Sequence, residues 1–144
     1  MRQLLSIFLL LLVYCGLQAQ EKQMLTDWKL QIGDERYAVA VPGCIHTDLM
    51  ALRRIPDPFY GTNEDSVQWV ENQEWHYECA FVADQKSKKA ELVFEGLATY
   101  ATISLNGKKI GTTDNMFRQY RFPLKRHLHR GESLLEVAFS PTRP

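Results

Sequence analysis

The chain has 144 residues, and its 17 Lys and Arg balance its 17 Asp and Glu, leaving a formal net charge of zero. No charge run or basic stripe accompanies that balance, which removes the electrostatic basis for nucleic-acid binding. Of the three cysteines, Cys15, Cys44 and Cys79, the last two could pair in an oxidising compartment, yet nothing in the sequence places them together.

The first 19 residues read as a leader rather than as fold. Arg2 supplies a positive charge, Leu4 to Val13 is apolar apart from Ser6, and Gly16-Leu17-Gln18-Ala19 ends on a small residue. That is the layout of a secretory signal peptide spanning 1–19, with cleavage before Gln20, and it predicts a periplasmic or extracellular protein. The run is shorter than the roughly 20 residues a spanning helix needs, so no membrane span is expected. A second reading makes Cys15 a lipidation site, which Tyr14 fits poorly. Residues 20–144 are enough for one domain with one core. Cys44 and Cys79 remain there, and the expectation is two buried free thiols.

The signals beyond the leader are mostly of period two. Trp28, Leu30 and Ile32 make a first strand, and Tyr37, Val39 and Val41 a second. A short helix follows, with Thr47 as its cap, Asp48 at its positive end, and Leu49, Leu52 and Arg53 at helical spacing. Pro56 stops it near Ile55. From Pro56 to Glu74 the chain is rich in Pro, Gly, Asn and aromatics and has no clean period. A connection of that length inside a compact domain implies a task or a short element of its own.

Alternation then resumes. Trp75, Tyr77, Cys79 and Phe81 share a face, as do Leu92 and Phe94, and then Ala101, Ile103 and Leu105. Asn106-Gly107 is a strong hairpin signal, since both residues tolerate the positive φ of a type I′ turn, with Lys108 to Thr112 as the return strand. Leu135, Val137 and Phe139 form a last strand, entered through Arg130-Gly131-Glu132. Many short strands separated by turns predict an all-β sandwich with one short helix.

Several segments together resemble a known family. Val41-Pro42-Gly43-Cys44-Ile45-His46-Thr47-Asp48-Leu49 is similar to the VPG-x-x-H-x-DL segment of β-mannosidases of glycoside hydrolase family 2. Ile55 to Glu64, Val67 to Glu71, Trp75-His76-Tyr77, Phe94-Glu95-Gly96-Leu97, Leu105-Asn106-Gly107 and Asp114-Asn115-Met116-Phe117 continue the pattern in order. The resemblance implies a jelly-roll, galactose-binding-like sandwich at the N-terminus of a larger enzyme. In such enzymes an immunoglobulin-like sandwich and a (β/α)8 barrel follow, and the barrel carries the two catalytic glutamates. Retaining hydrolysis places two carboxyl groups roughly 5 Å apart across the scissile bond. The expectation is that this chain, stopping after its last strand, holds neither and is inactive alone. One departure is Gly96-Leu97-Ala98-Thr99, where the family usually has Asp in the third place.

The resemblance implies a role as a non-catalytic domain that packs on those missing domains and shapes the sugar-binding end, in a truncated or split form. The alternatives are a free-standing carbohydrate-binding module for mannose-containing glycans, and a decayed fragment without a present role. Candidate substrate contacts are Asn63, Glu64 and Trp69, in a loop that would reach toward the barrel. The competing reading has Tyr60, Trp69 and Trp75 pack the sandwich and Asn63 satisfy turn backbone. Asn63-Glu64 resembles the barrel's acid/base pair but falls in the wrong place, so no catalytic residue is assigned. His127 and His129 lack a third ligand, His46 is expected to be a hydrogen-bonding structural residue, and neither a metal nor a cofactor is expected.

Overall fold

A computed structural model describes residues 21–83, 90–124 and 126–141; the expected signal peptide, residues 1–19 with Cys15, lies outside the described residues. Eight strands form there. They are β1 (Trp28–Ile32), β2 (Glu35–Val39), β3 (Trp75–Val82), β4 (Glu91–Phe94), β5 (Ala101–Leu105), β6 (Lys108–Thr113), β7 (Tyr120–Pro123) and β8 (Glu132–Phe139). One sheet has the order β2-β1-β3-β8-β5-β6, and β4 pairs with β7 in a second. Every pairing is antiparallel.

Period two becomes a core through register. Leu30 lies opposite Tyr77, Tyr77 opposite Val137, and Val137 opposite Ile103. One row of buried side chains therefore crosses four strands. Trp28, Cys79, Leu135 and Leu105 form the next row by the same pairings. Leu92 of β4 is buried in the same cluster, and Phe94 and Phe122 pack against it, which ties the small sheet to the large one in an all-β sandwich. Burying such side chains contributes about 1.5–3 kcal/mol each before entropy is counted.

Two residues fix the hairpin side of the sandwich. Asn106 sits at φ 51° and Gly107 at φ 75°, as the I′ turn requires. A register shift between Ile103 and Ser104 leaves Ile110 as the extra residue of a bulge and sets Gly111 opposite Ile103. A Cβ on Gly111 would stand 2.1 Å from the Phe122 ring, so only hydrogen fits where β6 passes β7.

Several expectations are corrected. The helical content is more than one short helix: α1 spans Ile45–Ala51, α2 spans Asn63–Val67, and a 3-10 turn spans Gln68–Asn72. The N-cap of α1 is Cys44 rather than Thr47; Thr47 is the third helical residue, and its hydroxyl receives the Cys44 amide at 3.2 Å. The helix ends at Leu52, before the expected Ile55, because Arg53 takes φ 55°. Val41 is exposed outside β2, which ends at Val39. Strand β7 escaped the reading because Pro123 closes it after four residues. Cys79 is buried as expected, but Cys44 is exposed at the start of α1; both are free thiols.

Candidate functional site

Gly43 allows the turn into α1: a Cβ there would lie 2.6 Å from the Ala40 carbonyl oxygen. The helix then carries Asp48 and Leu49 into the interior. The Tyr77 hydroxyl donates to Asp48 Oδ2 at 2.8 Å, joining α1 to β3. Burial pushes the Asp48 carboxyl up, and the Tyr77 hydrogen bond opposes it. Burial likewise pushes the Tyr77 phenol up, with Asp48 adding to the effect. The pair joins a buried carboxyl group to a phenol kept neutral, a structural tie between α1 and β3.

The segment after α1 is anchored and yet outward-facing. Ile55, Val67 and Val70 are buried. The Asp57 carbonyl accepts from Asn63 Nδ2 at 3.0 Å, and Asp57 Oδ1 accepts from the Phe59 amide at 2.9 Å. Ser66 Oγ donates to the Asn63 carbonyl at 2.7 Å. Between these anchors Phe59 is 95% exposed and Tyr60 is 78% exposed. Two large aromatic rings thus stand in solvent on a fastened turn.

The structure separates the three candidate substrate contacts. Asn63 opens α2, and its side-chain amide is engaged by the turn backbone. Glu64 is exposed on the first turn of α2. Trp69 stands in the 3-10 turn, 41% exposed, its ring 6.1 Å from that of buried Trp75. Of the aromatic trio expected to pack the sandwich, only Trp75 is buried. Its indole Nε1 donates to the Val70 carbonyl at 2.8 Å, which holds the 3-10 turn against β3.

Trp69 borders an open cleft of about 440 Å³, whose lining includes Gln31, Arg54, Gln73, Glu74 and His76 but not Asn63 or Glu64. His76 Nε2 lies 2.8 Å from Glu74 Oε1. Arg54 Nη2 donates to the Tyr37 hydroxyl at 2.7 Å and lies 3.9 Å from Glu35 Oε2. Sequence reasoning missed these polar residues because they come from β1, β3 and two separate turns. The one available signal was the Gln73-Glu74 polar pair between Trp69 and Trp75.

At β7, the Tyr120 hydroxyl accepts the amides of Asp114 and Asn115 at 3.1 and 2.9 Å and donates to Asp114 Oδ1 at 2.8 Å. That clamp presents Phe117, 87% exposed, at the tip of its loop. His127 lies in a turn and His129 in the irregular segment after it, both before β8. His46 is half-buried on the first turn of α1. Among the described residues no group of three His, Cys, Asp or Glu is placed to hold a metal ion, and no helix is long and apolar enough to cross a membrane.

Comparison with known proteins gives this sandwich its family. A family model described as glycosyl hydrolase 2 galactose-binding domain-like matches residues 28–143. The β-mannosidase of Capra hircus is 36% identical over 140 residues, covering 91% of this chain and 16% of its own length. The crystal structure of a β-D-mannosidase from Dictyoglomus thermophilum superposes with a TM-score of 0.80 at 41% identity, over 84% of this chain and 16% of that one. The exo-chitosanase of Amycolatopsis orientalis shares the fold alone, with a TM-score of 0.71 at 20% identity over 83% of this chain and 16% of that one. The chain thus spans about a sixth of the length of these two β-mannosidases. On these matches the chain belongs to the glycosyl hydrolase 2 galactose-binding domain-like family, as an N-terminal domain of the β-mannosidase-like type.

Proposed function

We propose that this chain serves as the non-catalytic N-terminal domain of an exported β-mannosidase-like glycoside hydrolase, packing on further domains and shaping the sugar-binding end of a catalytic barrel. The observation that carries this reading is the fastened segment after α1. It is held at Ile55, Val67 and Val70, yet presents Phe59 and Tyr60 to solvent. Ordered exposed aromatics suit a domain contact, since burying them there would recover what the isolated domain leaves in water. The leader supports export, with an immunoglobulin-like sandwich and the barrel as partners and mannose-containing glycans as the substrate class. In this role Trp69 is a ring-stacking contact, while Asn63 holds the loop and Glu64 stands at its rim.

The test is a graft. This chain replaces the matching segment of the Dictyoglomus thermophilum β-D-mannosidase, and hydrolysis of an aryl β-mannoside is measured beside the chain alone. Activity in the graft and none in the chain is the expected result. A folded graft without activity, or a chain that hydrolyses alone, overturns the reading. One observation favours a second reading, the free-standing carbohydrate-binding module: Trp69 borders a cleft belonging wholly to this chain.

A further inference from the structure

We infer that Asn106-Gly107 is a modification site gated by folding: the native fold locks the Asn106 amide, and opening of the β5–β6 hairpin releases it to a deamidation that the fold cannot then accommodate. The inference rests on the hairpin and its neighbours alone and is independent of what the domain packs on.

The chemistry needs only water. With the amide free, the Gly107 nitrogen attacks Asn106 Cγ, and the new N–C bond closes an imide ring. The Cγ–Nδ2 bond breaks, and the side-chain nitrogen leaves as ammonia with the proton that the Gly107 amide gives up. Water then adds to one imide carbonyl and reopens the ring, to aspartate or to isoaspartate, in which the main chain runs through the former side chain. Glycine hinders the attack least, because it has no Cβ beside the attacking nitrogen. Gly107 is exposed, and even an added Cβ would meet nothing around it. Nothing near Gly107 guards the site.

The protection comes from Asn106. At φ 51° its backbone leaves the β5 ladder, one residue past the Leu105–Leu135 pair. Its amide still donates to the Leu134 carbonyl at 2.8 Å, and Oδ1 stands in as the acceptor, taking the Leu134 amide at 2.9 Å. The side chain thus extends the sheet beyond the strand's end. On its other side Nδ2 donates to the His127 carbonyl at 2.7 Å and to Ser133 Oγ at 3.3 Å. Ser133 is 1% exposed, and its hydroxyl also accepts the His129 amide at 3.1 Å. A carboxamide held at both ends cannot rotate to present its carbon to the Gly107 nitrogen while these bonds last.

The product does not fit the lock. A carboxylate has no donor, so the oxygen in place of Nδ2 would face the His127 carbonyl oxygen across the 2.7 Å that a hydrogen bond now spans. Isoaspartate adds a main-chain carbon to the turn that sets Leu105 opposite Lys108. Both products favour the open form. Each excursion out of the fold therefore converts some chains, irreversibly, to a less stable form.

The full chain is incubated at mildly alkaline pH, folded in buffer and unfolded in urea, and deamidation at Asn106 is followed by peptide mass analysis. The folded chain is expected to react at least about thirtyfold more slowly, as a site reached only through opening should. Rates within about threefold of each other overturn the inference. Chains aged in urea to partial conversion are then brought to the unmodified chain's urea midpoint and pulsed with protease. The surviving folded fraction should be depleted in modified chains by at least about threefold. An even distribution overturns the inference too. Ser133→Ala removes one acceptor and should raise the folded-state rate at least about threefold. A folded Ser133→Ala that reacts no faster than wild type would assign the protection to the fold at large and sink the lock. Should Ser133→Ala fail to fold, the two comparisons on the unaltered sequence decide the matter.

Discussion

Tyr77 and Asp48 stand 29 residues apart in the chain, yet the phenol donates to the carboxylate at 2.8 Å inside the sandwich. This contact fastens α1 to β3 and makes the helix part of the core. Removing the hydroxyl leaves a buried carboxylate without a donor, a loss of roughly 1–3 kcal/mol. Tyr77→Phe is therefore expected to lower the unfolding free energy by that amount, seen as a lower urea midpoint with little change in slope. A midpoint within error of wild type would show that water replaces the phenol.

The same pair sets a pH dependence. Burial raises the Asp48 carboxyl above its ordinary value of 3.8, so over that window the folded chain binds more protons than the unfolded one. The contribution to stability is full below the unfolded value and is lost as pH rises through the folded value. Asp48→Asn keeps an oxygen for the Tyr77 hydroxyl and removes the titration. The gap in stability between Asp48→Asn and wild type should widen in the variant's favour from about pH 4 toward neutrality. Parallel pH profiles from urea melts would contradict this.

Asn106 joins turn geometry to packing. Its Nδ2 donates to the His127 carbonyl at 2.7 Å and to Ser133 Oγ at 3.3 Å, and its Oδ1 accepts the Leu134 amide at 2.9 Å. Asn106→Ala loses these bonds and places alanine at a positive φ, for a combined cost of roughly 3 kcal/mol. Asn106→Gly relieves only the backbone part, so it should fall between the two in a thermal melt. Equal losses in both variants would assign the whole effect to the side chain.

Gly111→Ala tests the contact between the sheets. The added methyl would overlap the Phe122 ring, which lies edge-on to Phe94 and stacked on Tyr120, so the ring cannot swing clear without disturbing both. Overpacking of this kind costs about 1–3 kcal/mol. Gly111→Ala with Phe122→Leu should recover part of it. No recovery would locate the strain in the β6 backbone.

What was legible in the sequence follows from how local each signal is. The rows through Leu30, Tyr77, Val137 and Ile103 were readable because period two forces side chains to one face wherever the pairing falls. The hairpin at Asn106-Gly107 was readable because its φ requirement is met by two adjacent residues. The start of α1 was misplaced because a Thr at the third helical position also bonds the backbone at the helix start, its hydroxyl receiving the Cys44 amide. The cleft was hidden for a different reason. Gln31, Arg54, Gln73 and His76 are brought together by the β1–β3 register and by the 3-10 turn, neither of which the sequence pattern specifies. Trp69 was legible as an aromatic of interest, and its exposure was not, since that depends on Trp75 filling the space beneath it.

The two free thiols among the described residues make the last prediction. Cys44 is exposed where α1 begins, with Thr47 Oγ1 3.5 Å from its sulfur. Cys79 is 1% exposed in the row with Trp28 and Leu135, and burial pushes its thiol up. The thiolate is the reactive form, so both access and acidity protect Cys79. Iodoacetamide at about pH 8 should therefore alkylate Cys44 in the native chain and reach Cys79 only after urea unfolding, as peptide mass analysis would show. The rate at Cys79 then reports opening of the core, and Tyr77→Phe should raise its logarithm in proportion to the stability lost, provided that opening is fast relative to alkylation. Native alkylation of Cys79 as fast as that of Cys44 would mean that β3 opens without global unfolding, contrary to its place between β1 and β8.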